Sequence, residues 1–204
     1  MAKKRRKPKM EFRYYQMSAG SPILALLGQK WVQNYGNGVD YLHFHNYLEI
    51  GYCYGGDGHM ILGEEEERFY GGIVTVIPPN YPHTTNSDIG TVSKWEYLFI
   101  DVEGFMKKFL DNPVKAEKVI QRIYSRVLFF EEKENLSISK KIRKIMDIMR
   151  DGEEFFLEEA KGVLAALLVE IARLNRDSGE DKVAEDAGKL TNMVTRVLDY
   201  VSYH

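Results

Sequence analysis

The segment HFHNYLEIGYCYGGDGHM, residues 43–60, combines a strand-like run with a strong turn signal. Its residues 47–54 are mostly aromatic and aliphatic, a composition that favours a β-strand. The sequence GGDG at 55–58 then supplies the conformational freedom that a tight turn requires. A strand that ends in a hairpin turn is therefore predicted at the centre of the amino-terminal half.

Short strands and turns of the same kind extend from residue 12 to about residue 102. The run IVTVI at 73–77 follows two glycines and is stopped by Pro78 and Pro79. The alternation at 95–100 predicts a strand with two different faces. These faces carry Trp95, Tyr97 and Phe99 on one side and Glu96, Leu98 and Ile100 on the other. Short strands with this punctuation predict an antiparallel sandwich or barrel.

From about residue 104 the hydrophobic residues recur with the period of α-helices. Two stripes are formed by Ile120, Ile123 and Val127 and by Ile138, Ile142, Ile145 and Met149. A third stripe, with alternating spacings of three and four, consists of Leu157, Ala160, Leu164, Leu167, Ile171 and Leu174. Such spacing is typical of helix–helix contacts, so this stripe is either a dimer seam or a face packed on the barrel. The predicted fold class is mainly β plus α.

The net charge of −2 conceals an uneven distribution. The first nine residues hold six of the 28 basic residues and none of the 30 acidic ones, so residues 10–204 carry 22 − 30 = −8. A negatively charged surface repels the phosphate backbone of a nucleic acid, so residues 10–204 are excluded as a nucleic-acid-binding surface. We expect residues 1–11 to form a basic, disordered tail.

The cysteine content and the lack of a long apolar run indicate in which cellular compartment the protein acts. Cys53 is the only cysteine, so neither an intrachain disulfide nor a Cys-based zinc cluster can form. We expect Cys53 to be a small apolar core residue. The apolar run at 23–27 is too short for a signal peptide or a membrane span. A cytoplasmic protein without a membrane partner is therefore expected.

Three histidines and a glutamate form the main chemical constellation. His43 and His45 lie two residues apart, so on a strand both side chains point to one face. Glu49 can share a centre with them only if the chain folds back near Asn46, and His83 would join from another strand. Three imidazoles and one carboxylate suit Zn, Ni, Fe or Mn. The alternative is that the four side chains line a metal-free pocket.

The four residues lie in two stretches, 43–56 and 72–83. These stretches resemble the two sequence motifs of the cupin superfamily, with the order His, His, Glu and then His. The match has two departures: Gly38 lies one residue closer to His43 than the usual spacing, and Asn80 replaces the usual glycine. The resemblance implies a cupin-like, double-stranded β-helix barrel, in which His43, His45, Glu49 and His83 would hold a metal.

Nearly all of the chain from residue 12 to residue 204 is similar to the AraC family of transcription regulators. The phrases HNYLEI at 45–50, IPPNYPH at 77–83 and TRVLDYV at 195–201 carry this resemblance. It implies an effector-binding domain at 12–110, a helical dimerisation region at 111–176 and a linker at 177–188. Residues 189–204 would be the first helix of a helix-turn-helix domain that is otherwise missing. DNA would then bind through that missing domain, and the chain would not be an enzyme.

Further roles are expected for individual residues, and Trp95 is either a contact of the effector, which a flat indole suits, or an aromatic residue of the barrel core. A small effector, for which a sugar is one candidate, would contact Trp95 and Tyr97 together with the His and Glu set, and Trp31 would cap the barrel mouth. A homodimer would form through Leu157, Leu164, Leu167, Ile171 and Leu174. The alternative function is a metal-dependent cupin enzyme, either a dioxygenase or a sugar isomerase, that uses His43, His45, Glu49 and His83 as ligands.

Overall fold

A computed structural model describes residues 9–28, 32–33 and 41–177 of the chain. Within these ranges, ten strands come before the first helix: β1 Lys9–Arg13, β2 Ile23–Leu26, β3 Val32–Gln33, β4 Tyr41–His45, β5 Leu48–Gly55, β6 Gly58–Leu62, β7 Glu65–Phe69, β8 Ile73–Ile77, β9 His83–Ser87 and β10 Ser93–Ile100. The rest comprises α1 Val102–Phe109, α2 Pro113–Tyr124, β11 Leu128–Glu131, α3 Leu136–Asp151, α4 Phe156–Leu174 and a 3₁₀ turn at Asn175–Asp177.

The strands form two sheets that face each other. The first sheet has the order β1-β4-β9-β6-β7, and the second has the order β11-β8-β5-β10-β2, with β3 paired to the start of β10. Met60 and Phe69 of the first sheet pack in one inner cluster with Ile77 and Trp95 of the second. The predicted β barrel followed by helices is therefore confirmed.

The second sheet is covered on both faces, because the helices pack on its outer side. Trp95, Tyr97 and Phe99 lie in the inner cluster, whereas Leu98 and Ile100 pack with the helices in the outer cluster. The alternation predicted for β10 is thus confirmed. Cys53 is fully buried in the inner cluster, as expected for a core residue.

Helices α3 and α4 use their apolar stripes to cover this sheet. Ile138, Ile142 and Ile145 of α3 are buried in the outer cluster. Helix α3 ends at Gly152, which has a left-handed backbone (φ 63°). The helical stripe predicted over 138–149 is confirmed.

The region after α2 differs from the sequence prediction. The stripe of Ile120, Ile123 and Val127 predicts one helix, but α2 ends at Tyr124 and residues 128–131 form β11. This strand pairs with β8, and Leu128 and Phe130 are buried at alternate positions. Pairing with a strand about fifty residues earlier is a tertiary contact that local periodicity does not reveal.

The third stripe packs inside the chain. Leu164, Leu167 and Ile171 are fully buried in the outer cluster, and a side chain without exposed surface cannot also contact a second chain. They therefore stabilise the fold of this chain. Of the two roles expected for the stripe, these three residues have the packing role within the chain. Leu157 and Leu174 are half-buried, and for them a dimer contact stays a prediction.

Several predicted features lie outside the described residues. These are the first eight residues of the basic tail, Trp31, Gly38 and nearly all of the predicted linker with the final helix. Within the described ranges, none of the helices is long and apolar enough to cross a membrane.

Candidate functional site

The fold brings the predicted His and Glu set together at a crossing between the two sheets. Strand β4 ends at His45 in the first sheet, and the chain turns at Asn46 and Tyr47 into β5 of the second sheet. This is the fold-back that the sequence requires for Glu49. His83 begins β9 and pairs directly with His43 across the first sheet.

The four side chains are in close contact and largely buried. One oxygen of Glu49 lies 3.1 Å from His45 Nε2, and the other lies 3.5 Å from His83 Nε2. His43, Glu49 and His83 each offer a ligand atom, and these three atoms lie within 4.8 Å of one another. His45, His83 and Glu49 expose 0%, 1% and 4% of their surfaces, so solvent has little access.

Backbone carbonyls orient two of the imidazoles. His45 Nδ1 lies 2.8 Å from the carbonyl oxygen of Tyr47, and His83 Nδ1 lies 2.9 Å from that of Tyr81. A carbonyl only accepts, so each Nδ1 carries the proton and donates it. The Nε2 atom of each ring therefore faces an oxygen of Glu49, and it can either donate to that carboxylate or, in a neutral ring, offer its lone pair to a metal. This arrangement is typical of metal-ligating histidines.

Burial and the contacts between the side chains together set the charge states of the site. Burial lowers the pKa of His43 to about 2, and the like charge of His83 adds to the effect, so His43 is neutral at pH 7. Burial by itself would raise the pKa of Glu49, but the charge of His83 and the close contacts with both imidazoles outweigh it. The pKa of Glu49 therefore lies well below its usual range, and the side chain is a carboxylate.

Asn80 has a structural role at its unusual position. It has a left-handed backbone (φ 63°), and its N–H donates to the carbonyl of His45 over 2.7 Å. This conformation favours glycine and is tolerated by asparagine. Asn80 therefore meets the backbone requirement of the cupin-like motif although it departs from the usual residue.

Trp95 and Tyr97 lie inside the barrel. Their rings stack with a centroid distance of 5.9 Å, and Trp95 packs edge-on against Phe69. The Trp95 ring is 1% exposed, and its indole N–H has no hydrogen-bond partner in the described part of the chain. The structure thus brings both aromatic residues to the inner cluster, whereas Trp31 lies outside the described residues.

Tyr15 also belongs to this region, although the sequence patterns did not single it out. Its ring stacks on Phe99 at 3.9 Å and lies 6.1 Å from the His45 ring. The Asn46 side chain accepts from the N–H of Tyr15 and donates to its carbonyl, at 2.9 and 3.0 Å. The aromatic-rich stretch 12–15 is a weak signal, but only the pairing of β1 with β4 brings Tyr15 beside the histidines.

The family of the chain is shown by comparison with known proteins. The family described as the AraC-like ligand binding domain matches residues 34–168, which is more than half of the chain. The chain belongs to this family. The resemblance to the AraC family is therefore confirmed, together with the cupin-like barrel that it implied. None of the curated proteins matches this sequence.

Two similar solved structures are of ToxT from Vibrio cholerae. A single-substitution variant of apo ToxT has a TM-score of 0.50 and 10% identity, over 87% of this chain and 65% of that one. Wild-type ToxT with a bound unsaturated fatty acid has a TM-score of 0.39 and 12% identity, over 78% of this chain and 58% of that one. The chain thus spans less than two thirds of the length of ToxT, and the first likeness concerns the fold alone.

Proposed function

We propose that this chain is the ligand-sensing and dimerisation part of a bacterial AraC-type transcription regulator that acts in the cytoplasm. The observation that carries the proposal is the inner face of the barrel, where buried polar groups converge without hydrogen-bond partners among the described residues. Such groups are costly unless a ligand satisfies them. A small-molecule effector would supply the missing partners, and a sugar or an aromatic compound would suit the flat indole of Trp95.

The proposed mechanism is a shift between two arrangements of a homodimer. An effector in the barrel would contact β10, whose outer face packs against the helices in the outer cluster. It would thereby favour one helix packing over the other. A helix-turn-helix domain, through which DNA would bind, would be presented differently in each arrangement. The Tyr15 segment, held by Asn46, would close the barrel in the place that the family resemblance assigns to Trp31.

A divalent metal is a finer proposal for the same site. The residues fit one, because backbone carbonyls hold the Nδ1 atoms of His45 and His83 and leave both Nε2 atoms directed at the Glu49 carboxylate, where an ion could bind all three side chains. Zn, Ni, Fe or Mn would be held by His43, Glu49 and His83, with His45 as a fourth ligand. When bound, the ion would polarise an oxygen of the effector. The same ligand set also keeps the metal-dependent cupin enzyme, a dioxygenase or sugar isomerase, as the alternative.

Thermal unfolding of the purified chain tests the sensing function. We expect one compound class among monosaccharides, aromatic carboxylates and oleate to raise Tm by roughly 5–10 °C at a hundred times Kd, because binding to the folded state alone stabilises it by about 2.7 kcal/mol. The exposed variant Glu66→Ala should respond like the wild type. Absence of any shift, or turnover of a sugar by metal-loaded protein, would contradict the regulator proposal.

Two further measurements test the finer proposals. Metal analysis of chelator-free protein should give about one ion per chain, which His83→Ala should lose; a stoichiometry near zero contradicts the metal proposal. Sedimentation velocity should give a dimer, and a monomer at all concentrations contradicts the dimer proposal. Neither negative result would affect the effector test.

A further inference from the structure

The outer face of the first sheet carries apolar side chains that belong to neither core cluster. Five of them, which we call the outer patch, are Met10, Phe12, Leu42, Phe44 and Ile61. Leu42 and Phe44 alternate along β4 with the two histidines that point into the barrel, so they point outwards. The register of β1 with β4 sets Met10 beside Leu42 and Phe12 beside Phe44. Ile61 alternates along β6 with residues of the inner cluster, so it shares the outer face.

The centre of the outer patch is buried, although its margins are not. Leu42 and Phe44 each expose 8% of their surface, and Thr84, on the same face of β9, exposes 4%. At the edge of the sheet Met10 is 53% exposed. Neighbours on one sheet face shield the flanks of a side chain, whereas burial of its tip requires a further layer of structure above it. Such a layer is therefore expected over β4 and β9.

The predicted helix at 189–204, which lies outside the described residues, has the apolar stripe that this layer needs. The stripe has spacings of four, three and four and consists of Leu190, Val194, Val197 and Val201. At the rise of an α-helix it is about 16 Å long. The outer patch extends from β1 to β6, which is three strand spacings or about 14 Å. The two apolar surfaces thus match in length.

The other segments outside the described residues lack such a stripe. Residues 1–8 are mostly basic, and residues 178–188 are mostly polar and charged. Residues 29–31 lead into β3 of the second sheet. Residues 34–40 contain two glycines, and Tyr35 and Val39 are their only large apolar residues. Residues 34–40 lead into β4, so they are the competing cover that an experiment has to distinguish.

The linker is long enough to bring residues 189–204 to the outer patch. The described residues end at Asp177 beside α2, where the Asn175 side chain donates to the carbonyl of Arg122 over 2.8 Å. A helix outside the first sheet would lie three layer spacings from the helices on the second sheet, which is about 30 Å. The twelve residues 178–189 reach up to about 40 Å when extended.

We propose that residues 189–204 form a helix that docks on the outer patch, with Val194 and Val197 over Leu42 and Phe44. Asn86 lies on the same outer face of β9, and its buried Oδ1 has no hydrogen-bond partner within the described ranges. A polar side chain of the docked helix would donate to this oxygen. The contact would fix the start of a helix-turn-helix domain against the barrel. The inference goes beyond the proposed function, because it does not depend on any effector.

Disulfide trapping in the full chain tests this contact. The natural Cys53 is fully buried and does not compete. Under mild oxidation, Ile61→Cys combined with Val197→Cys should give a cross-link within one chain. Ile61→Cys combined with Asp199→Cys is the matched control and should not cross-link, because residue 199 lies on the opposite side of the helix from residue 197. Mass spectrometry of proteolytic peptides identifies the product.

Hydrogen exchange provides a second measurement without new cysteines. Val194→Asp combined with Val197→Asp would place charges on the apolar patch and should release the helix. We expect the amides of residues 42–44 to exchange roughly tenfold faster in this variant. The exposed-face variant Asp199→Ala should exchange like the wild type.

Each outcome supports the docking or overturns it. A cross-link within one chain in the first pair alone, with faster exchange in the double variant, would support it. A product that joins two chains would assign the outer patch to a second copy. No cross-link in either pair, with cooperative unfolding of both, would overturn the docking. Unchanged exchange at 42–44 in the double variant would do the same and would assign the cover to residues 34–40.

Discussion

The two faces of the second sheet differ in whether their buried polar groups have hydrogen-bond partners. On the outer face, Glu96 accepts hydrogen bonds from Arg150 of α3 at 2.5 Å and from the N–H of Gly28 at 2.8 Å. On the inner face, Thr75 and Trp95 have no such partners among the described residues. The polar groups named on the outer face are paired within the chain, whereas the two on the inner face are left for the proposed effector.

A second group of paired polar side chains on the outer face supports this contrast. The Tyr52 hydroxyl donates to Glu132 at 2.6 Å, and Arg143 of α3 donates to the same carboxylate at 3.1 Å. The Arg143 guanidinium also lies 5.5 Å from the centre of the Tyr52 ring. Polar groups that pair across elements in this way hold the helices on the sheet. Stability should therefore depend on the outer face and effector binding on the inner face.

The largest effect on stability is expected for Glu96→Ala. The variant leaves the Gly28 N–H without its acceptor and leaves Arg150 with only the carboxylate of Asp147. We expect a loss of about 1–2 kcal/mol, below the 3–5 kcal/mol of a fully buried pair, because the Arg150 side chain is 39% exposed. Urea unfolding measures this loss. The exposed Glu66→Ala of the first sheet is the control, and an equal effect in both variants would remove the contrast.

A smaller and pH-dependent effect is expected for Glu132→Gln. Hydrogen bonds from Tyr52 and Arg143 hold the pKa of Glu132 below its usual 4.5. Its stabilisation is therefore present above pH 4.5 and is lost as the pH falls through the lower folded pKa. We expect the variant to be up to about 1 kcal/mol less stable at pH 7 and to converge with the wild type in acid. Unfolding free energies from pH 7 to pH 3 would reveal a constant difference if this account is wrong.

The smallest effect is expected for Thr75→Val without effector. The substitution keeps the shape of the side chain and removes a buried hydroxyl without a partner, so stability should stay unchanged or rise by up to about 1 kcal/mol. Urea unfolding of the effector-free protein provides the measurement. A loss above about 1 kcal/mol would mean that the hydroxyl is already satisfied, and the contrast between the two faces would disappear.

Much of this organisation was predictable from local sequence patterns. The two-residue spacing of His43 and His45 predicts a shared face, and the alternation of β10 predicts which residues turn inwards. The requirement that the chain fold back near Asn46 follows from the length of a strand. Motif order and spacing are therefore enough to name Glu49 and His83 as neighbours of the two histidines.

Other features depended on contacts between distant segments. Strand β11 was not predictable from the residues around it, because it is specified by pairing with β8. The place of Tyr15 depends on a parallel pairing of β1 with β4, about thirty residues apart. The burial of Leu164, Leu167 and Ile171 in the core depends on which surface α4 covers, and their spacing fits either a partner helix or the barrel.

The sequence by itself thus determined the barrel-then-helix order, the His and Glu set and the kinship with AraC-type sensors, because periodicity and motif spacing are properties of neighbouring residues. Only the tertiary structure decided that Gly51 lies between Thr75 and Tyr97 and that the Thr75 hydroxyl and the Trp95 indole N–H have no hydrogen-bond partner among the described residues. Strand register and burial arise when distant segments pack together. A buried hydroxyl is recognised as unsatisfied only when all of its neighbours are known.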